Sequence, residues 1–426
     1  MINHLGGNKL YFVIAIIKLI IILGVVTTIH EFGHFLFSKL FKIGVNEFAI
    51  GFGPVIFQKK YKDTMYSLRA IPLGGFCAIE GEEGDSEKEN SFAKRNVFQK
   101  IIVLVAGAMF NAILATGIFV ILAYITPTYT TTIAAFQEES VLEKAGVQVG
   151  DKIVSIDGKK VNLQSELVSQ NYNLNKSSVI VEYINNNQLK QTIVENAIQE
   201  IEYIGVSFKI SDDRNNVTNI IDMVASGGAA VKAGLKAGDK IIAVNGNEID
   251  SATYITPMIR KYPNQEVVLK IDRNGEVIDI SLVPDSKKVF DLGIYSTEEV
   301  KTTIPLAFVS AFENAKRIVG SYVDLFKGKV GIDDMSGIVG IGEVVYKTEG
   351  ILEFFNLMAI ISLAVGVANL LPFPPLDGGK VVIVTGEAIV RKKIPENVEA
   401  IISYIGFGVL ILLTLVVTYN DLTRIF

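Results

Sequence analysis

Two histidines and a glutamate stand at a spacing that suits metal-assisted hydrolysis. They are His30, Glu31 and His34, in the sequence His-Glu-Phe-Gly-His. Residues four apart lie on one face of a helix, so both imidazoles can bind one Zn²⁺ ion while Glu31 stands beside it as a general base. The alternative is an interfacial cluster of polar residues just past a helix end.

The third ligand of such a centre is predicted to be a carboxylate. A catalytic zinc ion takes three protein ligands and keeps one open position. The chain has one cysteine, Cys77, and its only further histidine is His4, at the opposite end of the apolar run that leads to His30. Asp377 stands out, because it ends another apolar run that three prolines interrupt. The alternative for Asp377 is a capping role in a helix-ending turn.

Four apolar runs must position these residues, and each is long enough to cross a membrane as a helix. The alternative is a set of buried helices in a large soluble protein. The first run lacks a basic flank and continues into the histidine motif, which argues against a cleavable signal peptide. The runs are Leu10–Ile29 (broken by Lys18), Ile101–Ile125, Phe354–Leu376 and Ile401–Thr418.

The positions of the basic residues predict the orientation of the four helices. Lys and Arg concentrate in residues 38–100 and 380–400, and such loops favour the cytoplasmic side. Both termini and the stretch 126–350 are therefore expected outside. The first and third helices then run in the same direction, which brings His30, His34 and Asp377 to a similar depth.

An internal repeat occupies the stretch that is predicted to be external. The sequence AGVQVGDKIVSIDG begins at Ala145, and AGLKAGDKIIAVNG begins 88 residues later at Ala233. The same offset relates Tyr203–Val206 to Asp291–Ile294. Two copies of a β-rich domain are predicted, and the pattern resembles bacterial PDZ domains, in which a peptide adds as a strand at a sheet edge. The alternative is a spacer without a ligand.

A further helix is predicted after the repeats, from apolar residues at helical spacing. It is expected to lie on the outer membrane surface or to pack against the repeats. Its apolar positions are Phe308, Phe312, Ala315, Val319, Tyr322 and Phe326.

The composition agrees with a membrane protein. Of 426 residues, 50 % are hydrophobic and 20 % are charged, against about 25 % charged in soluble proteins. This composition argues against an ordinary cytosolic enzyme and against a disordered chain. A net charge of -5 argues against a nucleic-acid partner.

Three features together resemble the site-2 protease family of intramembrane zinc metalloproteases. They are the His30–His34 motif, the sequence NLLPFPPLDGG from Asn369 to Gly379, and the paired PDZ-like repeats. The resemblance covers essentially the whole chain and is to the bacterial members of this family, of the type that regulates sigma factors. The resemblance implies one Zn²⁺ per chain, with His30, His34 and Asp377 as ligands and Glu31 as the base.

The resemblance also implies elements that bind the substrate. A membrane-associated β element matches Gly51–Pro54 and Tyr66–Phe76, and an edge strand at Tyr66–Ile71 would pair with an unwound substrate. Asn369 would hold the oxyanion, whereas Asn111 would hydrogen-bond near the site or serve in helix packing. The predicted substrate-binding residues are Tyr66, Ser67, Leu68, Arg69, Ala70, Ile71, Asn111, Asn369, Pro372 and Pro374.

The implied setting is the bacterial inner membrane, with the active site toward the cytoplasm. Substrates would be single-pass membrane proteins such as anti-sigma factors, cut first on the outer side by an upstream site-1 protease. Remnant signal peptides are a further implied substrate class. The partners are thus transmembrane substrates and the lipid bilayer.

The sequence departs from the family pattern at two positions. Ala364 stands where relatives usually have asparagine, so a substrate contact at that position is missing. Ile338 stands where a proline is usual, in a stretch that begins at Met335. Neither position belongs to the predicted metal ligands or the base.

The predicted fold is a four-helix membrane protein with two external PDZ-like domains and one β element in the first inner loop. Two rival functions are a catalytically silent PDZ scaffold and a metal transporter, and an intact Glu31 disfavours both because neither needs a base. The transporter also lacks support because the repeat lies outside the predicted membrane helices. The predicted membrane helices are 1–37, 101–125, 351–379 and 401–420, and the inner loops are 38–100 and 380–400. The predicted PDZ-like domains are 126–210 and 211–298, followed by an external helix and connector at 299–350.

Overall fold

A computed structural model of the chain describes residues 3–82, 86, 88–167, 172–210, 217–225, 227–328, 335, 337–348 and 350–425. The chain forms two compact units. The first comprises residues 1–126 and 302–426, and the second comprises residues 127–301.

Helices occur in both units. In chain order they are α1 Asn3–Leu40, α2 Val97–Ile125, α3 Val141–Lys144, α4 Gln164–Leu167, α5 Ala229–Lys232, α6 Ala252–Ile259, α7 Ile304–Phe326, α8 Ile338–Lys347, α9 Ile351–Asn369, α10 Asp377–Val390 and α11 Glu396–Ile425.

The strands are numbered along the chain in the same way. They are β1 Val45–Tyr61, β2 Thr64–Ile79, β3 Thr128–Phe136, β4 Lys152–Ile156, β5 Lys159–Lys160, β6 Ser178–Asn185, β7 Gln188–Glu195, β8 Ile198–Tyr203, β9 Val206–Ile210, β10 Val217–Val224, β11 Lys240–Val244, β12 Asn247–Glu248, β13 Val267–Arg273, β14 Glu276–Leu282, β15 Asp285–Phe290 and β16 Ile294–Val300.

Four helices of the first unit, α1, α2, α9 and α11, are long and apolar enough to span a membrane. Their number agrees with the sequence prediction, but the third predicted segment, 351–379, is too long for one helix. Helix α9 ends at Asn369, and α10 begins only at Asp377. The prolines between them lack the backbone donors that a continuous helix needs.

Helix α7 packs within the first unit through its small residues. Ala307 and Ala311 are fully buried, and Ala311 joins a cluster with Ala115 of α2 and Ala359 of α9. The alanines allow a closer helix approach than the phenylalanines, of which Phe308 is 55 % exposed. The location of this helix on the outer membrane surface or against the repeats stays a prediction.

Strands β1 and β2 form a long hairpin in which the first residues of β2 pair with two different parts of β1. Tyr66 pairs with both Phe48 and Lys59, and Leu68 pairs with both Ile50 and Phe57. A strand flanked on both sides has no free edge. The prediction of an edge strand at Tyr66–Ile71 is therefore wrong for Tyr66–Leu68, because β1 bends back and covers both sides of this stretch.

The free edge nearest the helices lies in the second half of β2. Phe76, Cys77 and Ala78 each have one partner in β1, on one side only. Cys77 packs against a cluster that includes Val103 of α2. A cavity of about 440 Å³ runs along this part of β2, from Phe76 to Glu82.

The second unit contains two similar six-stranded sheets. The first-repeat sheet has the order β16-β3-β4-β6-β7, with β5 beside β4, and the second-repeat sheet has the order β14-β13-β11-β10-β9, with β12 beside β11. A two-stranded ribbon of β8 and β15 connects them. Each sheet covers its own apolar core.

The two repeats are nested rather than consecutive. The amide of Gln137 donates to the carbonyl of Gly293 (2.9 Å), whereas the equivalent amide of Ala225 donates to Gly205 (2.7 Å). Strand β16 thus completes the first-repeat sheet, and the second repeat is inserted ahead of it. The predicted division at 210 and 211 differs from this pairing, and residues 211–216 lie outside the described part of the chain. A division into two consecutive domains fails because the turn at Gly293, late in the chain, completes the first repeat, while the turn at Gly205 completes the second repeat.

Candidate metal centre

Three side chains converge between α1 and the start of α10. The Nε2 atom of His30 lies 3.0 Å from Asp377 Oδ2, and the Nε2 atom of His34 lies 3.4 Å from the same oxygen. The two Nε2 atoms are 3.2 Å apart. Both histidines are 7 % exposed, whereas the Asp377 side chain is 17 % exposed, so the cluster is largely buried and its carboxylate side stays accessible.

These separations fit a tetrahedral zinc ion. Zinc–nitrogen and zinc–oxygen bonds of about 2.0–2.1 Å separate two donors by about 3.3–3.4 Å at tetrahedral angles. The three donor pairs in this cluster lie between 3.0 and 3.4 Å. Two imidazoles and one carboxylate are also the donor set of a catalytic zinc site with one open position. His30, His34 and Asp377 could therefore hold one zinc ion.

The hydrogen-bond partners of His30 and His34 orient the two imidazole rings toward the position that a zinc ion would occupy. His34 Nδ1 donates to the carbonyl oxygen of Val103 at 2.8 Å, which leaves Nε2 free to bind a metal. The side-chain amide of Asn111 lies 3.4 Å from His30 Nδ1. Asn111 is fully buried and its Oδ1 atom has no hydrogen-bond partner. A flip of this amide would let His30 Nδ1 donate to Oδ1, which satisfies both atoms.

Glycines bring α1 and α2 close enough for these contacts. A Cβ atom on Gly33 would lie 2.4 Å from the carbonyl oxygen of Ala106, and one on Gly107 would lie 2.4 Å from His34 Nε2. The backbone of α2 therefore forms one wall of the cluster. Gly107 supplies part of this wall, and Asn111, four residues later on α2, supplies the side chain that contacts His30.

Asp377 is positioned by the tight turn that precedes it. A Cβ atom on Gly378 would lie 2.3 Å from the carbonyl oxygen of Leu370, and one on Gly379 would lie 2.2 Å from the nitrogen of Pro374. The first turn of α10 thus packs directly on the end of α9. One turn later, Lys380 forms an ion pair with Glu82 at 2.7 Å, which ties α10 to the segment after β2.

Glu31 completes the polar cluster from α1. It is half-buried, and its carboxylate interacts electrostatically with His34, His30 and Asp377. Two histidines with a glutamate beside them can bind a metal and move a proton, which is the chemistry of a metalloprotease.

Comparison with known families decides the relationship of this chain. The model of peptidase family M50 matches residues 18–413, a range that includes both histidines and Asp377. The chain belongs to peptidase family M50. It is a zinc metalloprotease, and its four apolar helices agree with a location in a membrane.

Curated relatives of this M50 peptidase match it over nearly its full length. It is 30 % identical to "Zinc metalloprotease RasP" of Geobacillus kaustophilus, which it covers to 98 % with 97 % of its own chain. It is 29 % identical to "Regulator of sigma-W protease RasP" of Bacillus subtilis, over 97 % of this chain and 100 % of that protein. A solved PDZ domain of HtrA3, bound to a phage-derived ligand, is 17 % identical with a TM-score of 0.18, covering 22 % of this chain and 92 % of that domain.

The remaining predicted residues of the peptidase lie on two elements. Asn369 is the last residue of α9, and Pro372 and Pro374 lie in the turn before Asp377. Asn111 contacts His30 instead of an open surface. The stretch Tyr66–Ile71 lies in β2.

The side chain of Arg69 is engaged within the hairpin. It donates to Glu47 at 2.7 Å and to the carbonyl of Gly53 at 2.9 Å. Although burial raises the pKa of Glu47, the hydrogen bonds from Ser67 and Arg69 hold that pKa below its ordinary value. Arg69 therefore stabilises the bend of β1.

One of the two departures from the family pattern has a local explanation. Ile338 is the first residue of α8, a position that needs no backbone donor and accepts proline and isoleucine alike. Ala364 lies on α9, where its backbone carbonyl oxygen accepts a hydrogen bond from Tyr322 at 3.0 Å, and nothing in the structure explains its alanine side chain. Ser336 of the same stretch as Ile338 lies outside the described residues.

Sequence reasoning missed two contacts of the site. The carbonyl of Val103 and the Lys380–Glu82 ion pair both join distant segments. No local pattern marks a backbone carbonyl or one lysine among many as part of a site. Gly378 and Gly379 did carry a signal, because two glycines directly after an acidic residue indicate close backbone packing.

Proposed function

We propose that this peptidase cleaves transmembrane segments of single-pass membrane proteins, with anti-sigma factors as the substrate class. Remnant signal peptides are a second class. The observation that carries the proposal is the convergence of His30, His34 and Asp377 to within 3.4 Å, on helices that include an apolar span of 29 residues. A hydrolytic site buried among such helices suits a substrate that is itself apolar and helical.

In this mechanism His30, His34 and Asp377 would hold the metal, and Glu31 is the base. The zinc ion, when bound, would supply Lewis-acid chemistry at the scissile carbonyl and would lower the pKa of a water molecule. Glu31 accepts the proton of the attacking water and later gives it to the leaving nitrogen. The Val103 carbonyl and the Asn111 amide keep the two rings in position. The Asn369 side chain donates a hydrogen bond to the developing oxyanion.

The substrate must unwind before its peptide bond can reach Glu31. An unwound segment leaves backbone groups unpaired, which is costly in a membrane. The free edge of β2 at Phe76–Ala78 can pair with such a segment by strand addition. Two observations support this edge. Cys77 packs against a cluster that includes Val103, whose carbonyl oxygen accepts a hydrogen bond from His34, and a cavity of about 440 Å³ runs beside the strand.

The repeats of residues 127–301 act as a gate and not as part of the chemistry. The positive-inside pattern puts them on the outer side and the metal ligands toward the cytoplasm of the bacterial inner membrane. They exclude substrates with bulky outer domains, so an upstream site-1 protease has to cut first. If a short linker replaces the repeats, the enzyme should cleave substrates with intact outer domains. A folded, zinc-loaded variant that cleaves nothing would contradict the gate.

The experiment that tests the proposal is cleavage of a transmembrane peptide by the purified enzyme. Cleavage should stop with a zinc chelator and return when zinc is restored. Glu31→Gln should abolish cleavage but keep one zinc ion per chain, because Glu31 is a base and not a ligand. Full activity of the Gln variant would refute the role of Glu31. Zinc binding without cleavage by the wild-type enzyme would favour a scaffold, and zinc flux across vesicles would favour a transporter.

A further inference from the structure

Helix α10 begins with a ligand of the proposed metal centre and is covered by protein along one side only. On the covered side, Val381 and Val384 pack against a cluster that includes Val103 of α2. On the other side, Val382 and Ile389 are exposed, and Ile389 is so to 77 %. Residues seven apart lie on the same face of a helix. One face of α10 is therefore apolar and uncovered within the described part of the chain.

Three consecutive basic residues follow the last turn of α10. They form the basic triplet Arg-Lys-Lys at 391–393, which is exposed, as is Val390 before it. The C-cap residue, Arg391, has a left-handed φ of 56°, which turns the chain away from the helix axis. The carboxylate of Glu387 accepts a hydrogen bond from the amide of Ile394 at 2.7 Å, which closes this turn. The basic triplet is therefore held next to the exposed apolar end of the helix.

The basic triplet lies close to a membrane boundary. The candidate span of α11 begins at Asn397, four residues after the triplet, and Ile401 and Ile405 in its first turns are exposed. Basic residues next to a span attract anionic headgroups, and each raises the affinity by about fivefold. An exposed apolar helix face that ends in basic residues has both features of an amphipathic helix at a membrane surface.

We propose that the surface formed by Ile389, Val390 and the basic triplet binds anionic phospholipid headgroups of the bilayer, and that this contact holds α10 at the angle that places Asp377 in the metal centre. The coupling to Asp377 rests on the proposed function, whereas the lipid contact does not. Two observations select an anionic phospholipid as the occupant. The positive charge of the triplet is complementary to it, and the surface adjoins a candidate membrane span.

Helix α10 can pass a small tilt from its exposed end to Asp377. It has 14 residues and is thus about 20 Å long, and its contacts at Val381 and Val384 lie about 6–10 Å from Asp377 along the axis. A tilt of about 5° about these contacts shifts Asp377 by about 0.5–0.9 Å, whereas zinc–ligand distances vary by only about 0.2 Å. Toward the exposed end, a Cβ atom on Gly386 would meet nothing within 4 Å. Bound lipid restrains the tilt at this end, where the leverage is greatest.

A single introduced tryptophan can report the lipid beside α10, because the chain has none of its own. In vesicles with equal amounts of phosphatidylglycerol and phosphatidylcholine, brominated phosphatidylglycerol should quench Ile389→Trp at least about twofold more strongly than brominated phosphatidylcholine. The matched control is Ile113→Trp, an exposed site in the charge-free run of α2, where both lipids should quench alike. Equal quenching of Ile389→Trp by both lipids would overturn the proposal. Quenching by neither lipid would show that another copy of the chain covers the surface, which also overturns it.

Removal of the three positive charges tests whether they cause the preference. In the Ile389→Trp background, glutamine at all three positions of the triplet should abolish the preference for phosphatidylglycerol. In the parent, about 1 M salt should weaken it, because the screening length falls to about 3 Å. A control that removes three exposed lysines of the second unit should keep the preference, and an unchanged preference in the triplet variant would overturn the role of the triplet. The changes are Arg391→Gln, Lys392→Gln and Lys393→Gln for the triplet, and Lys232→Gln, Lys236→Gln and Lys240→Gln for the control.

The rate of zinc loss to a chelator measures the coupling to Asp377 without any substrate. In vesicles of phosphatidylcholine alone, the wild-type enzyme should lose zinc at least about fivefold faster than in vesicles that contain phosphatidylglycerol. The triplet variant should lose zinc at the faster rate in both lipids, whereas the control variant should behave as the wild type does. Equal rates for the wild-type enzyme in the two lipids would overturn the coupling.

Cleavage of a short water-soluble peptide distinguishes a failure of the proposed function from a failure of the lipid contact. The cleavage rate should follow the zinc content of the enzyme in each lipid. An enzyme that binds zinc, shows both lipid effects and cleaves no peptide would contradict the proposed function but support the lipid contact. An enzyme that cleaves the peptide and keeps its zinc equally well in both lipids would overturn the coupling alone.

Discussion

Replacement of Gly107 by alanine tests the packing of the metal centre most directly. The new methyl group would lie 2.4 Å from His34 Nε2 and 2.6 Å from His30 Cε1. Ordinary contacts between such atoms are about 3.5 Å, so the rings must move by about 1 Å. The new methyl group is attached to the backbone of α2, which moves less easily than a flexible side chain, so the two histidine rings have to move.

The magnitude follows from the tolerance of zinc coordination. Ligand distances in zinc sites vary by only about 0.2 Å, and even changes in groups that merely support the ligands cost about 10–100-fold in affinity or activity. A displacement of about 1 Å in both rings should therefore lower zinc affinity and cleavage at least about 100-fold, or about 2.7 kcal/mol. Overpacking adds about 1–3 kcal/mol of lost stability.

The assay is zinc content per purified chain, measured beside cleavage of a transmembrane peptide, with circular dichroism as a check of folding. The matched control is Gly117→Ala on the same helix, because a Cβ atom there meets nothing within 4 Å. This control should keep its zinc and gain about 0.5–1 kcal/mol of helix stability. A Gly107→Ala enzyme that holds one zinc ion and cleaves at the wild-type rate would refute the packing argument.

Three further outcomes are expected. Asp377→Asn should lower zinc content and activity together, since a neutral amide is a poor ligand; normal zinc content with normal turnover would assign Asp377 a capping role. Proline placed in turn at Phe76, Cys77 and Ala78 should slow cleavage without loss of zinc at the position whose amide faces the free edge of β2, whereas Ile56→Pro, at a 67 % exposed site of β1, should not; the reverse result would move the substrate to the other edge. Asp239→Asn should destabilise the second repeat by about 2–3 kcal/mol, because it removes the charge of a buried carboxylate that pairs with the partly exposed Arg273. Asp151→Asn should cost the first repeat only about 1 kcal/mol, because Asp151 accepts from the neutral side chain of Asn185. Hydrogen exchange of each sheet checks this, and equal losses would contradict the difference.

The histidine motif and the four apolar spans follow from sequence because both are local properties. The i to i+4 spacing of His30 and His34 needs only a helix, and the length of an apolar run needs only a count. Asp377 emerged by elimination, since the chain has one cysteine and three histidines. The second partners of the rings, Val103 and Asn111, depend instead on how α2 packs against α1.

The edge of the β hairpin could not be read from its sequence. Tyr66–Ile71 has the alternation of a strand, which predicts the strand but not its neighbours. Only the bend of β1, stabilised by Arg69, decides that Tyr66–Leu68 is covered on both sides. The free edge therefore falls at Phe76–Ala78, beside the helices.

The sequence by itself determined that two copies of one β domain exist, since each copy repeats the same turns and strands 88 residues apart. It did not determine which turn completes which sheet. Gly205 and Gly293 stand in equivalent turns, so the hydrogen bonds that either could make are alike. Only the tertiary structure decides that Gly293 returns to the first copy, because chain connectivity and the β8–β15 ribbon favour one of two pairings that local energetics leave nearly equal.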